Sequence, residues 1–326
     1  MNIKLSAREI IAALFTILLI GGFGGRASAD TAVSTCGTLS SPGNYFLTQN
    51  LTATGDCLVI AADNVAIDMK GKTISGNGTG AAIFDGSIPH PFAIIRNGTI
   101  RNFGIGIDLD NSGLATISNV DSSKNVSHGI FIDRCCNTLD AITANGNGGT
   151  GILIASDDSS LSRILANGNG AGGILITSCC NTLVASTVSN NTGNGVDMDD
   201  CCSFVLSSNI QKNTGIGVKL SSDDNGVIRS NTSKNGGDGM EFPNSGENMI
   251  VASTSNKNGG AGIDLGARFG IISGVQANKN AGGGVNMLCR GSTASLTAKK
   301  NTGTNLVQTV TSDGPCANVN LNAPGF

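Results

Sequence analysis

The sequence predicts an all-β fold, a single-stranded parallel β-helix (solenoid) with coils of about 22 residues. Three columns of residues that share one register carry this prediction. The first column is a glycine that begins an alternating apolar pair: Gly106, Gly129, Gly151, Gly173, Gly195, Gly217, Gly239, Gly262 and Gly284. The second is an asparagine that precedes each of these glycines by four residues: Asn102, Asn125, Asn147, Asn169, Asn191, Asn213, Asn235, Asn258 and Asn280. The third is an apolar position: Ile117, Leu139, Leu161, Leu183, Val205, Val227, Met249 and Ile271.

The content of each period distinguishes a β-helix from a leucine-rich repeat, which has a similar length. The L-x-x-L-x-L signature of leucine-rich repeats is absent. Gly, Asn, Ser and Thr occupy the space where a helix would lie, and these residues favour turns and strands. Because strands stack about 4.8 Å apart, identical residues lie over one another, and the asparagine side chains can hydrogen-bond along their column.

The composition excludes two further classes of protein. With 47 Gly, no Trp and one Tyr, the chain lacks the material of a conventional globular core, yet a hydrophobic fraction of 39% is too high for a disordered chain. The net charge is −3 and aromatic residues make up 4% of the chain, which argues against nucleic acid as a partner.

Residues 1–29 have the layout of a secretory signal peptide. Lys4 and Arg8 precede an apolar run over residues 10–20, and the segment ends with the small residues 27–29. No later stretch approaches the roughly 18 apolar residues of a membrane span, so no integral membrane anchor is predicted. We expect a bacterial protein that is secreted or periplasmic after removal of the signal peptide.

The mature chain, residues 30–326, is predicted to form one β-helix domain. Residues 30–80 would provide the N-terminal cap and first coils, residues 81–306 the regular coils, and residues 307–326 the C-terminal cap. The segment 86–92, "GSIPHPF", interrupts the repeat and is predicted to leave the coil.

Each end of a β-helix exposes an unpaired strand edge that needs protection. Cys36 and Cys57 bracket the first strands, and Cys289 and Cys316 bracket the irregular C-terminal segment. Since an exported protein meets an oxidising environment, we predict a disulfide bond in each pair.

The opening of the mature chain resembles a known family. "CGTLSSPGNYFLTQNL", "CLVIAADNVAIDMKGKTISG" and "IIRNGTIRNFGIGIDL" are similar to right-handed parallel β-helix proteins of the pectin-lyase-like superfamily, in particular the NosD-like β-helix domain. The resemblance implies the right-handed winding of the coils. It leaves the activity open, because the superfamily includes polysaccharide lyases, hydrolases, epimerases and metal-site maturation factors.

Pairs of adjacent residues recur six residues after the repeat glycine in five successive coils: Cys135-Cys136, Asp157-Asp158, Cys179-Cys180, Cys201-Cys202 and Asp223-Asp224. One coil step of about 4.8 Å lies within disulfide reach, so a bond from Cys179 to Cys201 or from Cys180 to Cys202 is feasible. The sequence favours disulfide bonds in this column and leaves open whether they join adjacent cysteines or neighbouring coils.

Cys135-Cys136 faces aspartates in the next coil and must be vicinally bonded, free or metal-bound. A metal stripe of Cys135, Cys136, Asp157 and Asp158 is the alternative, and the NosD-like resemblance implies copper there. No cofactor is otherwise expected, except Ca²⁺ if the protein is a lyase.

The outward positions of the glycine strands hold the candidate catalytic residues. Asp197 and Asp199 lie two apart on one strand face, about 6.5–7 Å, close to the carboxyl separation of inverting glycosidases. His128 lies in "SHGIFI", which is partly similar to the G-H-G-I stretch of polygalacturonase-like hydrolases. The outward residues of the other coils are, in chain order, Asp108, Asp110, Phe131, Asp133, Leu153, Leu175, Lys219, Glu241 and Asp264.

A column of lysines stands directly before the asparagine column on five consecutive coils: Lys212, Lys234, Lys257, Lys279 and Lys300. Like charges about 4.8 Å apart repel one another unless an anion relieves them, so a linear polyanion such as a uronic-acid polysaccharide fits this column. The sequence therefore favours an exported, non-catalytic β-helix that binds an anionic polysaccharide. The alternatives are a carbohydrate-active enzyme (lyase, hydrolase or epimerase) and a periplasmic copper-handling protein.

Overall fold

The computed structural model describes residues 30–243, 246–266, 270–288, 292–309 and 319–320. In these residues the chain consists of short parallel strands joined by turns, without a helix. None of the described residues therefore forms a helix long and apolar enough to cross a membrane. The predicted signal peptide and the predicted Cys289–Cys316 pair lie outside the described residues.

The first of two sheets, sheet 1, contains the strands that follow the repeat glycines. Its 13 described strands pair in chain order. They are Gly37–Leu39, Leu58–Ile60, Ala81–Phe84, Ile105–Leu109, Ile130–Ile132, Ile152–Ile154, Ile174–Ile176, Val196–Met198, Val218–Leu220, Met240–Phe242, Ile263–Leu265, Val285–Leu288 and Leu306–Thr309.

The second sheet, sheet 2, covers the rest of each coil and has 19 described strands. They are Thr31–Val33, Gly43–Leu47, Leu51–Thr52, Val65–Asp68, Thr73–Ser75, Ile94–Arg101, Thr116–Ser122, Thr138–Thr143, Ser160–Ser162, Leu165–Asn167, Thr182–Val184, Thr187–Ser189, Phe204–Leu206, Asn209–Gln211, Gly226–Ile228, Met249–Val251, Ile271–Ser273, Ser292–Ala294 and Val319–Asn320.

One coil shows how the chain turns. Val196–Met198 belongs to sheet 1, and after a turn Phe204–Leu206 and Asn209–Gln211 belong to sheet 2. Ser207, with a left-handed φ of 50°, bends the chain between these two sheet 2 strands. The coil then closes at Asn213 and the next coil begins. The parallel β-solenoid with a step of about 22 residues confirms the predicted fold class.

The core is a stack of apolar side chains contributed by every coil. Ile130, Ile152, Ile174 and Val196 pair in register along sheet 1, and each has at most 1% of its surface exposed. Since side chains alternate across a strand, the intervening residues point outward. This places the polar chemistry of sheet 1 on its outer face.

The predicted apolar column of sheet 2 is correct from Ile117 to Val227 and wrong beyond it. Val227 pairs with Ile250, which pairs with Ile272, and all three are fully buried. Met249 is half-buried and Ile271 is 49% exposed. One extra residue between Val227 and Ile250 shifts the strand by one position, and a shift of one exchanges the two faces.

The predicted asparagine column forms a buried ladder of hydrogen bonds. Each Oδ1 accepts the backbone N–H of the residue one coil earlier, over 2.8–3.1 Å. The ladder runs from Asn125 to Asn301. Asn102 is exposed and lies outside it, because the turn in that coil is one residue shorter and Phe103 takes the ladder position.

Two further ladders, which the sequence did not reveal, lie at the other corners. One consists of asparagine and serine residues that follow the paired residues: Asn137, Ser159, Asn181, Ser203, Asn225 and Asn248. The other consists of Ser186, Ser208, Ser230 and Ser253. All are buried, so each corner satisfies backbone N–H groups that the strands leave unpaired.

The N-terminal end contains a disulfide bond between Cys36 and Cys57, whose Cα atoms are 4.5 Å apart. It joins the start of the first sheet 1 strand to the start of the second. Segment 86–92 forms a connection between Ala81–Phe84 and Ile94–Arg101, with Ile88 exposed and His90 Nδ1 3.1 Å from Asp63 Oδ1.

Candidate functional site

The outward side chains of sheet 1 form one continuous row, which we call the outer row. Strand pairing places its members in register across ten coils. They are Phe84, Asp108, Phe131, Leu153, Leu175, Asp197, Lys219, Glu241, Asp264 and Asn286. The apolar members of the row, Phe131, Leu153 and Leu175, are half-buried. They separate an acidic stretch around Asp108 from a second one that begins at Asp197.

A single lysine connects the two candidate catalytic aspartates. Lys219 Nζ lies 3.3 Å from Asp197 Oδ1 and 3.4 Å from Asp199 Oδ1. Asn194 donates a hydrogen bond of 2.8 Å to the other oxygen of Asp197, and Ser221 contacts Asp199 at 3.2 Å. The two carboxyls that the sequence predicts as a pair therefore share one ammonium group.

The carboxyls around Lys219 are partly removed from water, and this shifts their pKa values. Burial raises the pKa of Asp197, although Asn194 and Lys219 offset part of that effect. Burial also raises the pKa of Glu241 and of Asp264, and repulsion from Asp238 adds to both.

Burial and the neighbouring carboxylates act on the pKa of Lys219 in opposite directions. Burial lowers the pKa of Lys219, but the attraction of Asp197 and Asp199 exceeds it, so the pKa is raised. The cluster of Asp197, Asp199, Lys219, Glu241 and Asp264, which we call the acid cluster, thus combines one cation with four carboxyls on an open sheet face.

Two residues near the acid cluster, Asn194 and Asp238, were not singled out in the sequence. Each immediately precedes a repeat glycine, in the turn that leads into a sheet 1 strand. Asp238 is half-buried and accepts the backbone N–H of Ala261 over 2.6 Å, and burial raises its pKa. In the sequence, such a residue can be recognised as a polar side chain directly before the repeat glycine.

His128 occupies the same turn position but lies far from the predicted aspartates. Its strand, Ile130–Ile132, is three coils before Val196–Met198, a separation of about 14 Å. Nδ1 accepts the Thr150 backbone N–H over 3.2 Å, and burial lowers the pKa of the ring. The structure does not bring His128 together with Asp197 and Asp199.

The lysine column is exposed along its whole length. Its five members have left-handed φ values of 58–64° at the turn before the asparagine ladder, and each side chain is exposed. Among the described residues none of the five forms an ion pair. Their positive charge is therefore available to a ligand.

The acidic stretch around Asp108 contains a buried carboxyl, Asp85, that the repeat pattern does not predict. Asp85 is completely buried, and its Oδ1, like that of Asp108, has no hydrogen-bond partner. Burial raises the pKa of both carboxyls to about 6, with repulsion from Asp110 adding to the effect. Asp85 directly follows a sheet 1 strand at an inward position, and this position in the sequence indicates that its side chain is buried.

The six cysteines of the paired column are free in the structure. No bond joins Cys179 to Cys201 or Cys180 to Cys202, which is the alternative between coils, and the sulfurs approach each other within a pair. Cys135 Sγ and Cys136 Sγ are 2.6 Å apart, and Cys179 Sγ and Cys180 Sγ are 3.2 Å apart. The second cysteine of each pair has a left-handed backbone, with φ values of 58–69°, and this conformation accounts for the approach within a pair.

A metal stripe of Cys135, Cys136, Asp157 and Asp158 is the alternative that the sequence offers for the same column. Within the part of the chain that the structure describes, no three or more His, Cys, Asp or Glu side chains are arranged to hold a metal ion.

Several solved structures have the same fold. The A-module of the mannuronan C-5 epimerase AlgE6 of Azotobacter vinelandii is similar, with a TM-score of 0.66 and 15% identity over 83% of this chain and 90% of that one. The catalytic domain of a GH87 alpha-1,3-glucanase has a TM-score of 0.55 and 11% identity over 88% of this chain and 63% of that one.

A structure described as ORF18 of Geobacillus virus E2 has a TM-score of 0.53 and 13% identity over 86% of this chain and 56% of that one. At these identities the similarity shows the fold alone. A comparison with curated protein sequences finds no significant match. The family model "Right handed beta helix region" matches residues 105–210 and 172–314, nearly two thirds of the sequence. The chain therefore belongs to the right-handed β-helix family.

Proposed function

We propose that the protein is exported and binds an anionic polysaccharide along the lysine column. The observation that carries this proposal is the run of five exposed lysines on consecutive coils, with no acidic partner among the described residues. Four coil steps of about 4.8 Å give the column a length of about 19 Å. A linear polyanion can contact all five ammonium groups along that length.

The similar structures support a carbohydrate ligand. The AlgE6 A-module is named for mannuronan and the glucanase domain for alpha-1,3-glucan, and both have TM-scores above 0.5 to this chain. A solenoid presents the same turn at regular intervals, which suits a ligand that is itself a linear repeat.

Replacing the five lysines by asparagine tests the proposal directly. Asparagine already occupies this turn position at Asn102 and Asn190, with φ values of 61° and 55°, so the backbone tolerates the change. Exposed ion pairs contribute about 0.2–1 kcal/mol each, so the affinity for alginate or pectate is expected to fall at least about fivefold. Affinity of the unchanged protein should also weaken as salt is raised.

Lys124→Asn is the matched control. Lys124 has the same turn position and a φ of 60°, but Gly146, Gly168 and Asn190 separate it from Lys212. The control variant should bind like the unchanged protein. Equal binding by the fivefold variant, or an equal loss in the control, would contradict the proposal.

A second candidate function is chemistry on the bound glycan at the acid cluster. Acid–base catalysis needs one group that retains a proton and another that is ionised. Burial raises the pKa of Glu241 and Asp264, whereas Asp199, 43% exposed, contacts the Lys219 ammonium. This difference in surroundings favours separate acid and base roles within one cluster.

The chain-length profile of alginate and pectate after incubation, with and without calcium, tests this second function. Shortened chains indicate a depolymerase, and unchanged lengths with an altered ¹H NMR spectrum indicate an epimerase. Glu241→Gln should abolish either change, whereas Glu247→Gln, at an exposed position, should not. Polymers that remain unaltered in both length and spectrum exclude catalysis on these substrates and leave binding as the function.

A further inference from the structure

Three turns of the solenoid carry two adjacent cysteines, which we call the cysteine doublets: Cys135-Cys136, Cys179-Cys180 and Cys201-Cys202. None of these six cysteines is buried, and Cys135 and Cys180 are exposed. We propose that each doublet is a redox site that closes into a vicinal disulfide by exchange with a disulfide oxidant. This proposal is independent of polysaccharide binding, since it uses neither the lysine column nor the acid cluster.

The backbone of the turn brings the two sulfurs of a doublet together. Successive side chains of a strand point to opposite faces, but the second cysteine of each doublet is left-handed, with φ values of 69°, 62° and 58°. The sulfurs consequently lie 2.6 Å apart in Cys135-Cys136 and 3.2 Å apart in Cys179-Cys180. These two doublets are thus arranged for bonding within themselves, and Cys201-Cys202 shares their turn conformation.

Hydrogen bonds between coils hold the doublet turns in this shape. The backbone N–H of the second cysteine donates to a carbonyl of the next coil, from Cys136 to Asp157, from Cys180 to Cys201 and from Cys202 to Asp223, over 3.0–3.1 Å. The turn therefore exists before any sulfur bond forms.

The same turn does not require cysteine. Asp158 and Asp224 take the second position with φ values of 53° and 57°, and Asp158 donates the corresponding backbone hydrogen bond to Cys179. Cysteine at three of these five turns is therefore not explained by the backbone conformation, whereas a thiol reaction explains it.

The reaction proceeds by two thiol–disulfide exchanges. One cysteine thiolate attacks a sulfur of the oxidant, whose S–S bond breaks, and one thiol leaves. The second thiolate then attacks the mixed disulfide on its neighbour, which forms the Cys–Cys bond and releases the second thiol. The doublet loses two protons and two electrons, which the oxidant's disulfide gains as two thiols.

The bond formed in this way should be easy to reduce. Adjacent Cα atoms are about 3.8 Å apart, shorter than the range of about 4.4–6.8 Å in ordinary disulfides, and the resulting strain favours reduction. In the reduced protein, contact with the neighbouring thiol is the first cause that raises the pKa of Cys136 to about 11, of Cys179 to about 12 and of Cys201 to about 11. Exchange should therefore accelerate as pH rises.

The test is mass spectrometry of the full chain after reduction and then exposure to oxidised glutathione. Peptides with the doublets are compared with and without alkylation of free thiols. The expected result is the loss of two hydrogens within each doublet peptide, without a cross-link between peptides. Free thiols in all three doublets, a stable mixed disulfide with glutathione, or peptides joined between coils would each overturn the proposal.

A double variant separates bonding within a doublet from bonding between coils. In Cys179→Ser/Cys180→Ser the Cys201-Cys202 peptide should still lose two hydrogens, because its partner is internal. If the bonds ran between coils, the same variant would leave Cys201 and Cys202 as free thiols. Cys135-Cys136 is the built-in control, since the next coil offers it only Asp157 and Asp158.

Discussion

The burial of a single residue in this chain depends mainly on the strand face on which its side chain lies. Asp85 and Asp108 are one coil apart and differ by one step in strand register, yet Asp85 is completely buried and Asp108 lies on the outer row. Both have an oxygen without a partner, and burial raises the pKa of both to about 6. The folded protein therefore tolerates these carboxyls because their raised pKa keeps them protonated up to a higher pH.

Asp85 makes the folded state less stable as the pH rises. Its pKa of about 6 exceeds the ordinary value of 3.8, so the folded state holds the proton more tightly. The resulting stabilisation is complete below about pH 4 and is lost as the pH rises through 6. A shift of this size corresponds to about 3 kcal/mol.

Asp85→Asn is expected to raise the free energy of unfolding at pH 7 by up to about 3 kcal/mol, with little change at pH 4. The Asp85 oxygen that accepts the Asn111 backbone N–H over 3.0 Å has a counterpart in the asparagine amide. Urea denaturation at the two pH values measures both effects. Asp133→Asn, at an exposed position, should change neither value. An unaltered pH dependence in Asp85→Asn would show that Asp85 is not the group responsible.

At the level of elements, the corners are specified by buried ladders and by small residues. Asn191 Oδ1 accepts from the Asn169 backbone and side chain, each over 2.9 Å, while its Nδ2 donates to Ala166 and Asn213. One side chain thus satisfies groups in two other coils, the preceding and the following one. The asparagine amides of this ladder would lie 2.5–2.8 Å from a Cβ at the repeat glycines, so they leave no room for a side chain there.

Asn191→Ala should lower the free energy of unfolding by about 3 kcal/mol or more. It leaves several buried polar groups without partners, and each of these costs about 1–3 kcal/mol. Asn190→Lys is the control, because Lys212 holds the same position with a similar φ, 58° against 55°. Urea midpoints compare the two variants, and similar midpoints would show that the ladder does not stabilise the fold.

The repeat glycine is expected to tolerate no side chain. A Cβ on Gly195 would lie 2.4 Å from Ile210 Cγ2 and 2.6 Å from the Gly217 carbonyl oxygen. Overpacking of this kind costs about 1–3 kcal/mol, so Gly195→Ala should lower the thermal midpoint. Gly37→Ala, with no atom within 4 Å of the new Cβ, should leave it unchanged. A Gly195→Ala protein as stable as Gly37→Ala would contradict the close packing at this corner.

At the scale of the whole molecule, the solenoid turns a repeated sequence into long, straight surfaces. The outer row and the lysine column are both such surfaces, and each coil contacts mainly its neighbours. The ends therefore matter more than in a globular domain, because a terminal coil has a neighbour on one side only. The disulfide between Cys36 and Cys57 ties together the first two strands of sheet 1.

Cys36→Ser/Cys57→Ser should unfold the N-terminal coils before the rest. A disulfide that closes a loop of this length contributes about 3 kcal/mol. Hydrogen exchange should show faster exchange over residues 30–60 and little change beyond the middle of the solenoid. Uniform acceleration across the chain would instead indicate a single cooperative unit.

The sequence by itself determined the fold class, the coil length, the inward apolar row of sheet 1 and the asparagine ladder. Each depends on a period that repeats many times, so single exceptions such as Asn102 do not obscure it. The lysine column and the outward position of Asp197, Lys219 and Glu241 follow from the same period and from strand alternation. Each of these features depends only on residues within one coil or in adjacent coils, so the repeat in the sequence is enough to predict it.

The tertiary structure decided what depends on side-chain direction and on departures from the period. It placed Lys219 between Asp197 and Asp199, buried Asp85, and moved the sheet 2 column from Met249 to Ile250. It also brought the sulfurs together within the Cys135-Cys136 and Cys179-Cys180 doublets, whereas the sequence left pairing within a doublet and between coils open. A repeat fixes which residues share a column, but the backbone conformation at each turn fixes where their side chains point.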